Sequence, residues 1–222
     1  MTIGIAVTFN DGVLLVADGR RTYPLNPILP PQDDVNKIFQ ISPTIGAITF
    51  GVSQATDFVL HNLSLSLPPR YSPKDVSTIV KSSVNVGWSC LMSIVAPDVD
   101  VHHERVKVGL VVGGLTNNQP FVTGALKYSD GENCVLEEGE YKFIVLGGEE
   151  QNAKDEFNQI AERAVQQFGA NREFGLMDNL VEAFLRGAAD TINLVSAKRL
   201  DVGGTIRYAV IRRGYPYTTG AL

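Results

Sequence analysis

The run MTIGIAVTF places Thr2 directly at the head of an apolar stretch, and two charged residues border the apolar stretches that follow: Asp18 closes VLLVAD and Lys37 heads KIFQI. A threonine hydroxyl is a poor nucleophile at its own pKa and needs a base beside it. Removal of Met1 would supply one, because a free α-amine has a reference pKa of about 8 and can accept a proton near neutrality. A cation such as Lys37 next to that hydroxyl favours its deprotonated form, and a carboxylate such as Asp18 keeps the cation charged where water is partly excluded. Each residue also has a plainer reading. A β-branched Thr suits the start of a strand, Asp18-Gly19 is ordinary turn chemistry, and a Lys beside a strand suits a solvent-facing edge. Together they supply the parts of an amine-assisted hydroxyl nucleophile.

The elements that would position these groups follow from periodicity. Residues 2–9 and 13–17 read as strands joined at Asn10-Asp11-Gly12, a strong hairpin signal. After the Pro-rich loop YPLNPILPPQDD, NKIFQI and TIGAITF give two more strands around Ser42-Pro43. A short helix is expected near 53–65. A longer one starts at Ser72-Pro73-Lys74-Asp75, which has the form of an N-cap followed by Pro, with Val76, Ile79, Val80, Val84 and Leu91 at helical spacing. VKVGLVVGGL, PFVTGAL and YKFIVLGG read as strands, with SDGENC as a turn between the second and third. Amphipathic helices are expected over 151–168 and about 176–194, followed by a closing strand GTIRYAVI and a polar tail over 213–222. Strands come in hairpin-linked runs and helices in pairs. That order favours an α+β fold, a four-layer αββα sandwich of two antiparallel sheets between helix layers, as one domain over 1–222.

Composition narrows the function classes. The chain has 222 residues with 44% hydrophobic and 19% charged, enough for one substantial core. Its net charge of −5, with scattered Lys and Arg, lacks the clustered positive surface that nucleic acid or anionic lipid would need. Two well-separated cysteines, Cys90 and Cys134, suit a reducing cytoplasm. The first apolar run lacks a basic n-region and a small-residue cleavage site, and no apolar run is long enough for a membrane span. A soluble cytoplasmic protein is expected, with no nucleic-acid or membrane partner. His102-His103-Glu104 are neighbours that point to opposite faces of an extended segment, and no further ligands complete a metal set. Gly113-Gly114, Gly147-Gly148 and Gly203-Gly204 form no phosphate-binding signature and read as turns and close approaches. No metal and no cofactor are expected, and Cys90, near Trp88, reads as core.

The first third of the chain resembles β-type proteasome subunits and their bacterial relatives, the N-terminal-nucleophile peptidases HslV and Anbu. That family begins its mature chain with Thr and a hydrophobic strand, ends its second strand in Asp-x-Arg, begins its third with Lys, and places Gly after its fourth. Those positions read here as Thr2, Asp18 and Arg20 in VADGRRT, Lys37 in NKIF, and Gly51 in ITFGVSQATDF. The intervals from Thr2 to Asp18 and from Lys37 to Gly51 match the family without gaps. The interval between them is longer and falls in the Pro-rich loop, where insertion is tolerated.

The resemblance implies roles for these residues. Thr2 would be the nucleophile, its α-amine the base acting through water, and Lys37 the group that lowers the hydroxyl pKa. Asp18 would orient Lys37, the Gly51 N–H would form the oxyanion hole, and Arg20 would be structural. Thr49 and Ser53 would line the pocket for the residue before the scissile bond, and their size implies a roomy one. The later segments depart from the family pattern. Gly148, followed by Glu149 and Glu150, stands where a supporting Ser is usual. Arg199 takes the place of an Asp and Val202 that of a Ser, with Asp201 close enough to compensate by a local shift; Ser129, in the SDGENC turn, is not the missing Ser. Two functions stay open. One is a threonine peptidase acting on peptides or unfolded proteins in a self-compartmentalising homo-oligomer, as a ring, double ring or helical assembly, with an ATP-dependent unfoldase as an implied partner. The other is an inactive assembly or scaffold subunit of the same fold.

Overall fold

Ile3, Ile5, Val7 and Phe9 alternate with Gly4, Ala6 and Thr8, so the first strand presents two different faces, and the whole arrangement of layers follows from that. A computed structural model describes residues 2–23, 28–94, 106–129, 131–147, 150–168 and 176–222. In chain order the elements are β1 (Ile3–Phe9), β2 (Gly12–Ala17), β3 (Ile38–Ser42), β4 (Ile45–Gly51), α1 (Ser53–Ser66), α2 (Pro73–Ile94), β5 (Lys107–Thr116), β6 (Gln119–Tyr128), β7 (Gly131–Glu138), β8 (Phe143–Gly147), α3 (Glu150–Phe168), α4 (Leu176–Ser196), β9 (Arg207–Arg212) and β10 (Thr218–Ala221). The strands form two five-stranded sheets, β10-β9-β2-β1-β8 and β3-β4-β5-β6-β7. Every pairing is antiparallel.

The core divides into three clusters, and the strand alternation sorts residues among them. Ile3, Ile5, Val7 and Phe9 of β1 pack with Phe157 of α3 and Phe184 of α4. Ala6, Val13 and Leu15 of the first sheet pack with Ile48, Phe50 and Val111 of the second. Ile45 and Ala47 of β4 pack with Val59 of α1 and with Val80 and Val84 of α2. Sheet therefore lies on sheet, and each carries helices on its outer face, an arrangement compatible with the expected sandwich. Each fully buried Phe or Ile contributes about 2 to 3 kcal/mol of hydrophobic stabilisation. The start of α2 is a capping box in which the Asp75 N–H donates to Ser72 Oγ at 3.2 Å and the Ser72 N–H to Asp75 Oδ2 at 2.9 Å.

Two expectations need correction. Most of the segment read as the turn SDGENC is strand, because Gly131 opens β7, which pairs with β6 from Tyr128↔Gly131 to Phe121↔Glu138. The tail over 213–222 is not merely a polar end: Thr218–Ala221 forms β10 and extends the first sheet by pairing with β9. His102, His103 and Glu104 lie outside the described residues. No helix among the described residues is long and apolar enough to cross a membrane.

Candidate active site

Thr2 precedes β1 and, by the alternation of that strand, shares the inter-sheet side with Ala6. Lys37 precedes β3 in the other sheet, next to Ile38 of the same inter-sheet cluster. Asp18 follows β2, the hairpin partner of β1, whose register pairs Gly4 with Ala17. The ends of three strands from two sheets thus converge, and all three side chains are buried, with Thr2 at 4%, Asp18 at 1% and Lys37 at 6% exposure.

The hydrogen bonds assign charges to this cluster. Lys37 Nζ donates to Thr2 Oγ1 at 2.6 Å, to Asp18 Oδ1 at 3.2 Å and to the Arg20 carbonyl. An ammonium has three protons, and these three acceptors take them all. Asp18 is equally occupied. Its Oδ1 accepts from the Ile3 N–H at 3.0 Å as well as from Lys37, and its Oδ2 accepts from the N–H groups of Arg20 at 3.3 Å and Gly203 at 3.2 Å. Four donors fill the lone-pair positions of one carboxylate and leave no place for a proton, so the pair is ionised. Burial pushes Lys37 below its ordinary pKa while Asp18 opposes that, and burial pushes Asp18 up while Lys37 and the Ile3 and Gly203 N–H groups oppose that. Since Lys37 is the donor to Thr2 Oγ1, the hydroxyl proton of Thr2 must leave in another direction. Lys37 can stabilise an alkoxide there but, as an ammonium, cannot be the base that makes it.

Gly51 closes β4 with φ of +108°, and a Cβ at that position would lie 1.9 Å from the Lys107 carbonyl oxygen. The Thr49 N–H donates to the Lys37 carbonyl at 3.1 Å and the Val52 N–H to the Lys107 carbonyl at 3.1 Å. Alternation along the strand turns the Gly51 N–H to the side of Thr49's, past the beginning of β3 and toward Lys37. Thr49 is buried at 5% exposure and shares the α1/α2 face of β4 with Ile45 and Ala47. Ser53 is the first residue of α1. Arg20 makes a fork on Asp33, with Nε to Oδ1 at 2.6 Å and a terminal nitrogen to Oδ2 at 3.0 Å. Its other terminal nitrogen donates to the Leu200 carbonyl at 3.0 Å, which ties this loop to the turn before β9.

The segment that departs from the family pattern is organised differently from a simple loss. Val202 is fully buried in the α3/α4-side core and offers no hydroxyl. Arg199 pairs with Asp201 at 3.1 Å, and Asp201 is 2% exposed. Burial works to raise the Asp201 pKa, but the Arg199 hydrogen bond and charge contribute to holding it below the ordinary carboxylate range. Gly148 and Glu149 lie outside the described residues. Sequence reasoning missed three contributors: the Gly203 N–H on Asp18, the Arg20 carbonyl on Lys37, and Asp33 on Arg20. Only Asp33 left a signal, as an acidic residue ending the Pro-rich loop. Gly147 reads from sequence as a close approach; with φ of +94°, its absent Cβ would lie 1.8 Å from the Thr2 carbonyl oxygen, so β8 lies directly against the Thr2 backbone. No family model matches the chain, and no curated protein matches it.

Proposed function

We propose that this chain is a threonine peptidase of the N-terminal-nucleophile kind, similar to β-type proteasome subunits, which becomes active when processing frees the α-amine of Thr2. The observation that carries the reading is the 2.6 Å bond from Lys37 Nζ to Thr2 Oγ1, with Asp18 at 3.2 Å behind it. The free amine takes the hydroxyl proton through a water, and Oγ1 attacks the peptide carbonyl carbon while Lys37 holds the developing charge. The tetrahedral oxyanion lies against the Gly51 N–H. Its collapse breaks the C–N bond, the leaving amine takes the proton back, and an ester on Thr2 remains for water to hydrolyse by the same route. A self-compartmentalising homo-oligomer that admits peptides or unfolded chains in the cytoplasm, with an ATP-dependent unfoldase delivering them, fits this chemistry. An inactive scaffold subunit is the second reading, and it rests on Val202 and Arg199, which replace a hydroxyl and a carboxylate of the family pattern.

Intact mass spectrometry separates the two. The isolated protein should have Thr2 as its first residue and gain one adduct from an epoxyketone, which needs both the hydroxyl and the amine of an N-terminal Thr. Thr2→Ala should abolish the adduct and peptide hydrolysis together. A Met1-retaining protein with no adduct, or hydrolysis unchanged in Thr2→Ala, rejects the peptidase reading.

A further inference from the structure

We propose that the Arg199–Asp201 pair is the positioning device for the α-amine freed on Thr2: Asp201 accepts a hydrogen bond from it, and Arg199 offsets the Asp201 charge so that the amine is not locked in its protonated form. The proposal rests on the peptidase reading and extends it to residues that depart from the pattern this chain resembles. Its basis is placement. The Ile3 N–H and the Gly203 N–H donate to opposite oxygens of one carboxylate, at 3.0 Å and 3.2 Å. Segments 2–3 and 201–203 therefore run on either side of Asp18, and Asp201 stands two residues from that contact as Thr2 stands one. Its side chain is 3% exposed, and the charge of Asp201 acts on Lys37, which touches Thr2 Oγ1.

Arg199 meets Asp201 side by side, Nε to Oδ1 at 3.1 Å and a terminal nitrogen to Oδ2 at 3.4 Å. A lone buried carboxylate beside an amine would stabilise the ammonium form and remove the base. With its charge offset, Asp201 keeps its acceptor geometry and loses most of that bias. Charged groups that border the site include the Lys37–Asp18 pair, the Arg20–Asp33 pair, buried Lys107 at the head of β5, and Arg21, whose charge acts against that of Lys37. Removing either partner of the Arg199–Asp201 pair leaves the charge of the other uncompensated, and that is how the pair tunes the readiness of the amine to give up its proton.

The test uses the full chain beginning at Thr2, released from a cleavable N-terminal fusion, with its α-amine ¹³C-methylated for titration by NMR. Unmethylated samples report the pH profile of epoxyketone labelling. Asp201→Asn should lower the amine pKa and slow labelling at the pH optimum about tenfold through lost positioning. Arg199→Met should raise the amine pKa and move the acid limb of labelling to higher pH, and Arg199→Lys should restore both. Should a single variant fail to fold, the double variant Asp201→Asn with Arg199→Met removes both charges and should show labelling slowed as in Asp201→Asn alone. An amine titration and labelling profile unchanged in these variants overturn the proposal while leaving the peptidase reading intact. Shifted titration without labelling of the parent chain rejects the peptidase reading and keeps the placement of the pair.

Discussion

Asp18 and Asp201 are 1% and 2% exposed, yet they are held in different ways. Asp18 takes one N–H from the head of β1, one from the loop after β2 and one from the turn before β9, besides the Lys37 ammonium. Asp201 is gripped by a guanidinium two residues away in its own turn. A carboxylate bound to the backbone of three segments is part of how those segments meet. One bound to a neighbouring side chain can be altered with its partner and leave the fold in place. The first arrangement belongs to the half of the site that follows the family pattern, and the second to the half that departs from it.

Asp18→Asn is the sharpest way to break this comparison. It leaves the buried Lys37 charge uncompensated and sets an amide against backbone donors, so stability should fall by about 3 to 5 kcal/mol, read from urea unfolding. A loss close to that of Asp201→Asn would mean that the backbone donors contribute little. Gly51→Ala should come next. Its Cβ meets the Lys107 carbonyl and its φ of +108° is strained for any other residue, so stability should fall by about 1 to 3 kcal/mol and peptide turnover with it. Full turnover in that variant would exclude the Gly51 N–H from the oxyanion site.

Acid titration sharpens the same contrast with the smallest effect. Asp201 has a folded pKa below its unfolded value, so its contribution is present above the ordinary value of 3.8 and is lost as pH falls toward about 2. Asp18, pushed the other way by burial, opposes that trend. Asp201→Asn should therefore flatten the loss of stability below pH 3.8, measured as urea midpoints across that range. A slope as steep as the parent's would place the acid sensitivity elsewhere.

What could be read from sequence follows the same physical divide. The hairpin of β1 and β2, the stripes of α3 and α4, and Asp18 and Lys37 as charges bordering apolar runs are all visible as side-chain patterns. β7 is not, because GENCVLEE is an edge strand whose exposed positions carry Glu132 and Glu138 with little apolar alternation. β10, TTGA, is too short and polar to show a period. The Gly203 N–H and the Arg20 carbonyl were illegible for a deeper reason: a backbone donor or acceptor has no residue type, and only the fold says which one faces a charge.

The bond from the Gly203 N–H to Asp18 spans 185 residues of chain. During synthesis, the strand that begins after Thr2 emerges long before the Gly203 donor that completes the Asp18 carboxylate. Until the ribosome has passed Gly203, Asp18 lacks one of its donors and β2 lacks its neighbour β9, so the Thr2–Lys37–Asp18 cluster does not yet have its full set of contacts. A cluster wired in this way is incomplete in every product truncated before Gly203.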